Sequence, residues 1–357
     1  LEFGILGLEL SGKSTLFALL TGNTPTTAHG RIAAHVGVAQ VPDSRLDRLS
    51  ALFKPRKHTP ATVRFVDVPG IVKGGAASLN VPELRTMDGL AVVTRGFSSE
   101  SVPHPEGSID PARDLELVET ELLLNDLSVT GNRLERLTRE TAKRKAPELE
   151  AERVILERCR SALEEGTPLR RLDLDHDERW MLKGFGFLSL KPMLVILNVG
   201  EDRAGDLPAA LENAGFSPWR GQRAVAMSAV CATLEQEISV LAPADQAAFL
   251  ADLGLPDRAL DRVLRAAYAL LGLVSFFTVG EDECRAWSVA EGTPAVKAAG
   301  VIHSDFERGF IRAEVVRWEQ LVEAGSLAAC RTHGTLRLEG KDYLVQDGDV
   351  VTFRFNV

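Results

Sequence analysis

The residues with the clearest chemical capacity stand at the start of the chain, where Gly7-Leu8-Glu9-Leu10-Ser11-Gly12-Lys13-Ser14-Thr15 satisfies G-x-x-x-x-G-K-[ST]. Two glycines permit a tight loop whose backbone N–H groups converge on an anion. Leu10, Ser11, Gly12, Lys13, Ser14 and Thr15 then wrap the phosphates of a nucleotide, Lys13 reaches the β- and γ-phosphates, and the Ser14 hydroxyl is placed to ligate Mg²⁺. A second motif, Asp67-Val68-Pro69-Gly70, ends the alternating run 61–66. A carboxylate at the carboxyl end of a neighbouring strand holds Mg²⁺ through water, and the Gly70 N–H meets the γ-phosphate. On its own D-x-x-G is equally a turn former or a helix cap, so its meaning rests on the phosphate loop upstream.

These residues need a scaffold that brings strand ends together. Phe3-Gly4-Ile5-Leu6 is a short apolar run suited to a buried strand, and residues 14–20 open a helix whose N-terminus faces the phosphates. Residues 22–35, rich in Thr, Pro, Gly and His, read as a loop, followed by a strand at 36–41, a turn at Pro42-Asp43 and a short helix at 45–53. Residues 90–93 form a further core strand. The most strand-like run, 192–197, delivers Asn198-Val199-Gly200-Glu201 to its carboxyl end, where such a sheet reads the base; residues 225–229 repeat the arrangement and bring in Ser228 and Ala229. With helices at 244–253 and 257–271, the alternation predicts a mostly parallel sheet covered on both faces. Between these parts, Leu115, Val118, Leu122, Leu134 and Leu137 recur near helical spacing and the pattern resumes at 147–165, which predicts a projecting helical hairpin. Its tip carries Arg139, Lys143, Arg144 and Lys145, which read either as a solvated helix end or as a phosphate contact. From about Ser275 short strands and turns predict a small mixed domain, with an Asp347-Gly348 turn joining Tyr343-Leu344-Val345 to residues 350–355.

At 357 residues the chain can hold two or three cores. Its net charge of −9 gives no overall basic field, so any RNA contact must be a local patch. The longest apolar run, 266–277, is too short to span a bilayer and reads as a helix passing into a strand. Cys159, Cys231, Cys284 and Cys330 are scattered without zinc spacing and read as reduced cytoplasmic thiols. The sequence opens at Leu1 and enters a strand at once, which leaves little room for a leader.

At this point the sequence resembles the Obg-like ATPase family of the YchF type, almost end to end. Carrying the resemblance are the phosphate loop, Val41-Pro42-Asp43-Ser44-Arg45-Leu46-Asp47, Phe65-Val66-Asp67-Val68-Pro69-Gly70-Ile71-Val72-Lys73-Gly74, Gly107-Ser108-Ile109-Asp110-Pro111, Asn198-Val199-Gly200-Glu201, and in the last third Ala299-Gly300-Val301-Ile302-His303-Ser304-Asp305-Phe306-Glu307-Arg308-Gly309-Phe310 and Gln346-Asp347-Gly348-Asp349. The resemblance implies an α/β, P-loop GTPase-like fold with an inserted helical hairpin and a C-terminal β-grasp (TGS) domain. It divides the chain into 1–110 and 188–273 for the nucleotide-binding domain, 111–187 for the hairpin and 274–357 for the TGS domain. It also implies association with ribosomes or RNA, and ATP in place of GTP. Related GTPases read guanine with Asn-Lys-x-Asp, whose Asp accepts hydrogen bonds that adenine has no donors to make. Here Val199 replaces the Lys and Glu201 the Asp, while Asn198 can still support the base.

The departures from Ras-like enzymes cluster around hydrolysis. Ile71 follows Gly70 where those enzymes have the Gln that orients water. The resemblance implies that a histidine in the loop after the next strand acts instead; His104 stands at the matching place and reads equally as a surface loop residue. Other differences set this chain apart from its family. Glu9-Leu10-Ser11 replaces the usual Pro-Asn-Val, removing an Asn that ligates K⁺ in some related enzymes; residues 30–34 lack the Thr that covers Mg²⁺; and the Gly-rich segment between Gly74 and Glu83 is shortened. The expectation is a cytoplasmic monomer, with no membrane segment, that binds ATP and Mg²⁺ and hydrolyses slowly. A nucleotide-dependent switch or scaffold with little or no hydrolysis stands beside it. A small-molecule kinase fits less well, since neither a lid nor an acceptor pocket is recognisable.

Overall fold

A computed structural model describes residues 1–23, 35–71, 82–144, 146–255 and 257–356. It resolves into two compact units, one of Leu1–Ala39 with Arg64–Leu270 and the other of Gln40–Val63 with Leu271–Val357. The strands are β1 (Glu2–Leu6), β2 (His35–Gln40), β3 (Lys57–Thr59), β4 (Thr62–Asp67), β5 (Gly89–Gly96), β6 (Met193–Val199), β7 (Val225–Val230), β8 (Leu273–Thr278), β9 (Glu283–Ala290), β10 (Phe310–Arg317), β11 (Arg337–Glu339) and β12 (Asp349–Phe355).

The first unit is built on a sheet of order β2-β4-β1-β5-β6-β7. β1 pairs in parallel with β4 and β5, and β5-β6 and β6-β7 continue in parallel, so the carboxyl ends of β1, β4, β5, β6 and β7 open on one edge. The central β5 and β6 are buried almost throughout, as expected of apolar strands covered on both faces. The inserted hairpin is the pair of helices Pro111–Lys143 and Pro147–Glu164, and Pro at the start of each fits the position where a helix lacks a partner for its N–H. The two helices close over Leu134, Leu137, Leu156, Cys159 and Leu163, the stripe that helical spacing predicts.

The second unit is a mixed sheet of order β11-β10-β12-β8-β9-β3, with β12 and β8 parallel at its centre. The helix Ala295–Ile302 lays Ala295, Ala298 and Ala299 against Phe276, Val315 and Phe353, the β-grasp arrangement that the resemblance implies. Residues 40–63 lie in sequence within the first part of the nucleotide-binding domain, yet they join this unit. β3 pairs in parallel with β9, and Arg45, in the helix Ser44–Phe53, bridges its own cap Asp43 and Asp347. The hairpin predicted around Asp347-Gly348 is replaced by another pairing. Leu344 makes an isolated bridge with Pro294, and β12 pairs with β10 and β8. The reason is Asp349, which is buried and accepts from Tyr343 Oη (2.7 Å) and from the Gln346 N–H (2.9 Å), curling 343–349 into a turn.

All four cysteines are buried and free. Among the described residues no helix is long and apolar enough to cross a membrane, and no cluster of three or more His, Cys, Asp or Glu could hold a metal ion. The loop at 24–34, the shortened segment 72–81 and Lys145 lie outside the described residues.

Candidate functional site

The phosphate loop leaves β1 at Gly7 and enters the helix Lys13–Thr21 at Gly12, whose φ of 92° is a left-handed conformation that glycine adopts without cost. A Cβ on Gly12 would also collide with Asn198 Nδ2, so the loop and the end of β6 touch at this point. Asn198 is buried and uses both ends of its amide. Nδ2 donates to the Ser11 carbonyl (3.2 Å), and Oδ1 accepts the Ala232 N–H (3.1 Å) just past β7. Sequence reasoning assigns Asn198 to the base; the geometry adds the task of fastening the loop to two strand ends. Ala232, a backbone donor, carries no sequence signal for that role.

Lys13 is buried, and its Nζ donates to the Leu8 carbonyl (2.7 Å). Burial lowers its pKa to about 8, with Asp67 and Glu9 pulling the other way. A lysine whose charge is disfavoured by desolvation gains from an arriving polyanion, which stabilises the ammonium form. Ser14 Oγ, in the first turn of the helix Lys13–Thr21, donates to Asp67 Oδ2 (2.8 Å) at the end of β4. Burial raises the Asp67 carboxyl above the ordinary carboxylate range, opposed by the Ser14 hydrogen bond and by the charges of Lys13 and His35. Its second oxygen, Oδ1, is buried and has no hydrogen-bond partner among the described residues, and neither has Ser11 Oγ. A hydroxyl and a carboxylate side by side with a desolvated oxygen to spare are the donor set of a hard divalent cation, so Ser14 and Asp67 fit Mg²⁺.

The D-x-x-G segment is pressed onto the loop. The Ile71 N–H donates to the Gly7 carbonyl (3.0 Å), Ile71 bridges Leu8 in parallel, and a Cβ on Gly70 would lie 3.0 Å from the Glu9 Cα. Ile71 is therefore packed in the core and has no means of orienting water. Glu9 and Leu10 are exposed, and Leu10 sits at φ 61°, a left-handed conformation unfavourable to leucine. Thr15 and Glu201 are exposed; Val199, Ser228 and Ala229 are buried at the ends of β6 and β7.

His104 belongs to a separate network. Its side chain is only 4% exposed; Nδ1 accepts the Glu106 N–H (3.1 Å), which leaves Nε2 to donate to Asp114 Oδ2 (2.9 Å). Arg113 bonds the other Asp114 oxygen (2.8 Å). The loop is further held by Arg95 at the end of β5, fully buried, which donates to the carbonyls of Phe97 (3.1 Å), Val102 (2.7 Å) and Pro103 (3.4 Å). No sequence motif marks Arg95 or Asp114, one a charge at a strand end and the other a charge in a helix.

A parallel sheet with a phosphate loop after its first strand, a D-x-x-G at the next strand over and an Asn at the end of β6 defines the P-loop nucleoside-triphosphatase class in its GTPase-like form. A family model described as YchF-GTPase_C, a protein of unknown function, matches residues 273–356. The whole chain is similar to proteins named ribosome-binding ATPase YchF. The Bacillus subtilis protein is 39% identical over 100% of both chains, that of Haemophilus ducreyi 41% over 99% of both, and that of Escherichia coli O157:H7 38% over 99% of both. The solved structure of the Schizosaccharomyces pombe YchF GTPase superposes with a TM-score of 0.85 at 27% identity, covering 99% of this chain and 97% of that one. The chain belongs to the YchF family.

Proposed function

We propose that this chain is an ATP- and Mg²⁺-binding P-loop NTPase that associates with ribosomes in the cytoplasm. The observation that carries the nucleotide part is the Ser14–Asp67 pair (2.8 Å) with Asp67 Oδ1 buried and unpartnered beside the desolvated Lys13. Lys13 anchors the β- and γ-phosphates, Leu10 to Thr15 supply the loop, and Gly70 approaches the γ-phosphate. Ser14 and Asp67 would hold Mg²⁺, which would supply charge neutralisation to the phosphates. Asn198, Val199, Glu201, Ser228 and Ala229 surround the base. Val199 is buried where a guanine-reading site has a lysine, and Glu201 stands in place of the aspartate, which supports adenine. The ribosome part follows the names of the relatives, with Arg139, Lys143, Arg144 and Lys145 as one candidate contact with rRNA phosphates.

A slow ATPase is the enzyme reading. With Ile71 buried and both ring nitrogens of His104 engaged, intrinsic turnover is expected on the order of 10⁻³ s⁻¹ or below, the range of P-loop enzymes that lack a catalytic partner. The same observations favour the second reading, a nucleotide-dependent switch or scaffold with little or no hydrolysis. Parallel titrations with ATP and GTP in Mg²⁺, followed by product assay on the same samples, test both. ATP binding with slow product supports the enzyme, ATP binding with none after prolonged incubation selects the switch, and failure of the folded protein to bind ATP sinks both.

A further inference from the structure

The helix His176–Lys183 presents His176, Arg179, Trp180 and Lys183 at spacings of three and four residues, hence on one face. Trp180 is 73% exposed, far more than a structural tryptophan. It lines an open cleft of about 410 Å³ together with His176, Arg179, Lys183 and Lys191, within the ~300–1,000 Å³ span of ligand-sized clefts. Phe187 and Leu190 contribute apolar wall.

The charges at this cleft are uneven. Arg179 and Lys183 are exposed and have no acidic partner among the described residues, whereas Glu178, one step round the helix, is engaged by Arg158 (2.7 Å) and by the Asp175 N–H (3.0 Å). Lys191 is held lower in the cleft by the carbonyls of Arg85 (3.0 Å) and Met87 (2.6 Å). Asp88, the lining carboxylate, accepts the Glu2 N–H (2.9 Å). An exposed indole flanked by unneutralised cations, in a protein of net charge −9, complements a flat aromatic group carrying anions on either side.

We propose that this face is a stacking platform for an unpaired RNA nucleotide, with the base on the Trp180 ring and the flanking phosphates on Arg179 and Lys183. The proposal rests on the ribosome-association reading for its source of RNA, and it is separate from the basic hairpin tip. Unpaired bases stack on aromatic side chains with little regard to sequence, and alanine substitution of such a ring costs roughly 5- to 150-fold in affinity.

The test uses the full-length protein saturated with ATP, a fluorescein-labelled 12-nucleotide oligouridylate followed by anisotropy, and sedimentation with ribosomes. Trp180→Ala is expected to weaken oligouridylate binding about ten-fold and to lower ribosome co-sedimentation in parallel, while Trp180→Phe stays within about three-fold of wild type. Arg179→Ala with Lys183→Ala should flatten the log–log salt dependence by about 1.4. If the wild type ignores ribosomes yet binds oligouridylate through Trp180, the platform stands and the ribosome reading fails. Unchanged oligouridylate binding by Trp180→Ala, or none by the wild type, overturns the platform. Loss of sedimentation without loss of oligouridylate binding also overturns it, since Trp180 then meets a ribosomal protein.

Discussion

Replacing Asp126 with Asn measures how the helical insertion is anchored. Asp126 is completely buried in the helix Pro111–Lys143, and its two oxygens accept the N–H groups of Leu188 (2.9 Å) and Ser189 (2.7 Å) on the approach to β6. Burial pushes its carboxyl from 3.8 up to about 6, against the opposing effect of those hydrogen bonds and of Arg85. Because the folded value lies above the unfolded one, the folded state holds the proton more tightly. The contribution to stability is full below pH 3.8 and is lost as pH rises through 6. Integrating over both titrations, ionisation costs roughly 1–2 kcal/mol at pH 5 and roughly 3 kcal/mol at pH 7. Asparagine does not ionise, but it turns an NH₂ toward one of the two backbone donors, a pH-independent loss of about 1–3 kcal/mol. Urea denaturation at the two pH values separates these effects: the stability of Asp126→Asn relative to wild type is expected to rise by about 1 kcal/mol from pH 5 to pH 7, because only the wild type ionises at this position. An unchanged stability difference between the two proteins from pH 5 to pH 7 would refute the reasoning.

Asn198→Ala removes the tie to the Ser11 carbonyl and leaves the Ala232 N–H without its acceptor, so stability should fall by about 1–3 kcal/mol and ATP affinity by about ten-fold. Thermal unfolding and ATP titration check this, and wild-type affinity in the variant would remove Asn198 from the loop's support. Leu10→Asn relieves a leucine at φ 61° and should raise apo stability by about 1 kcal/mol in chemical denaturation. A drop in stability would mean that Leu10 makes an apolar contact worth more than the backbone strain.

The sheet and its phosphate loop were legible because they are local. Gly7 to Thr15, the run before it and the helix after it lie within one strand–loop–helix unit, and D-x-x-G ends a strand that alternates cleanly. The hairpin was legible from its leucine stripe. What escaped depends on pairings between distant residues. Lys57-His58-Thr59 has neither apolar alternation nor length, and it becomes a strand only because Glu283-Cys284-Arg285 lies beside it. Asp126 and Asp114 read as solvated helix positions until their buried partners at Leu188-Ser189 and His104 are seen. Arg95 is indistinguishable by type from any arginine ending a strand, and its carbonyl partners at 97–103 are a matter of loop conformation.

The return of residues 40–63 to the C-terminal unit has a consequence for biosynthesis. Leu46 and Leu49, buried in the finished protein, emerge early, but the residues from Leu271 onward that complete their unit are made much later. At elongation rates of roughly 5–20 residues per second the wait to the end of β12 is about 15–60 s, during which the apolar face of this helix is open to chaperones or to aggregation. A nascent chain arrested near Leu270 should therefore be held by a chaperone through the stretch around Leu46, and release should coincide with synthesis of β9 and β12. The same dependence means that a fragment cut at residue 273 lacks the strand that covers the free edge of β9.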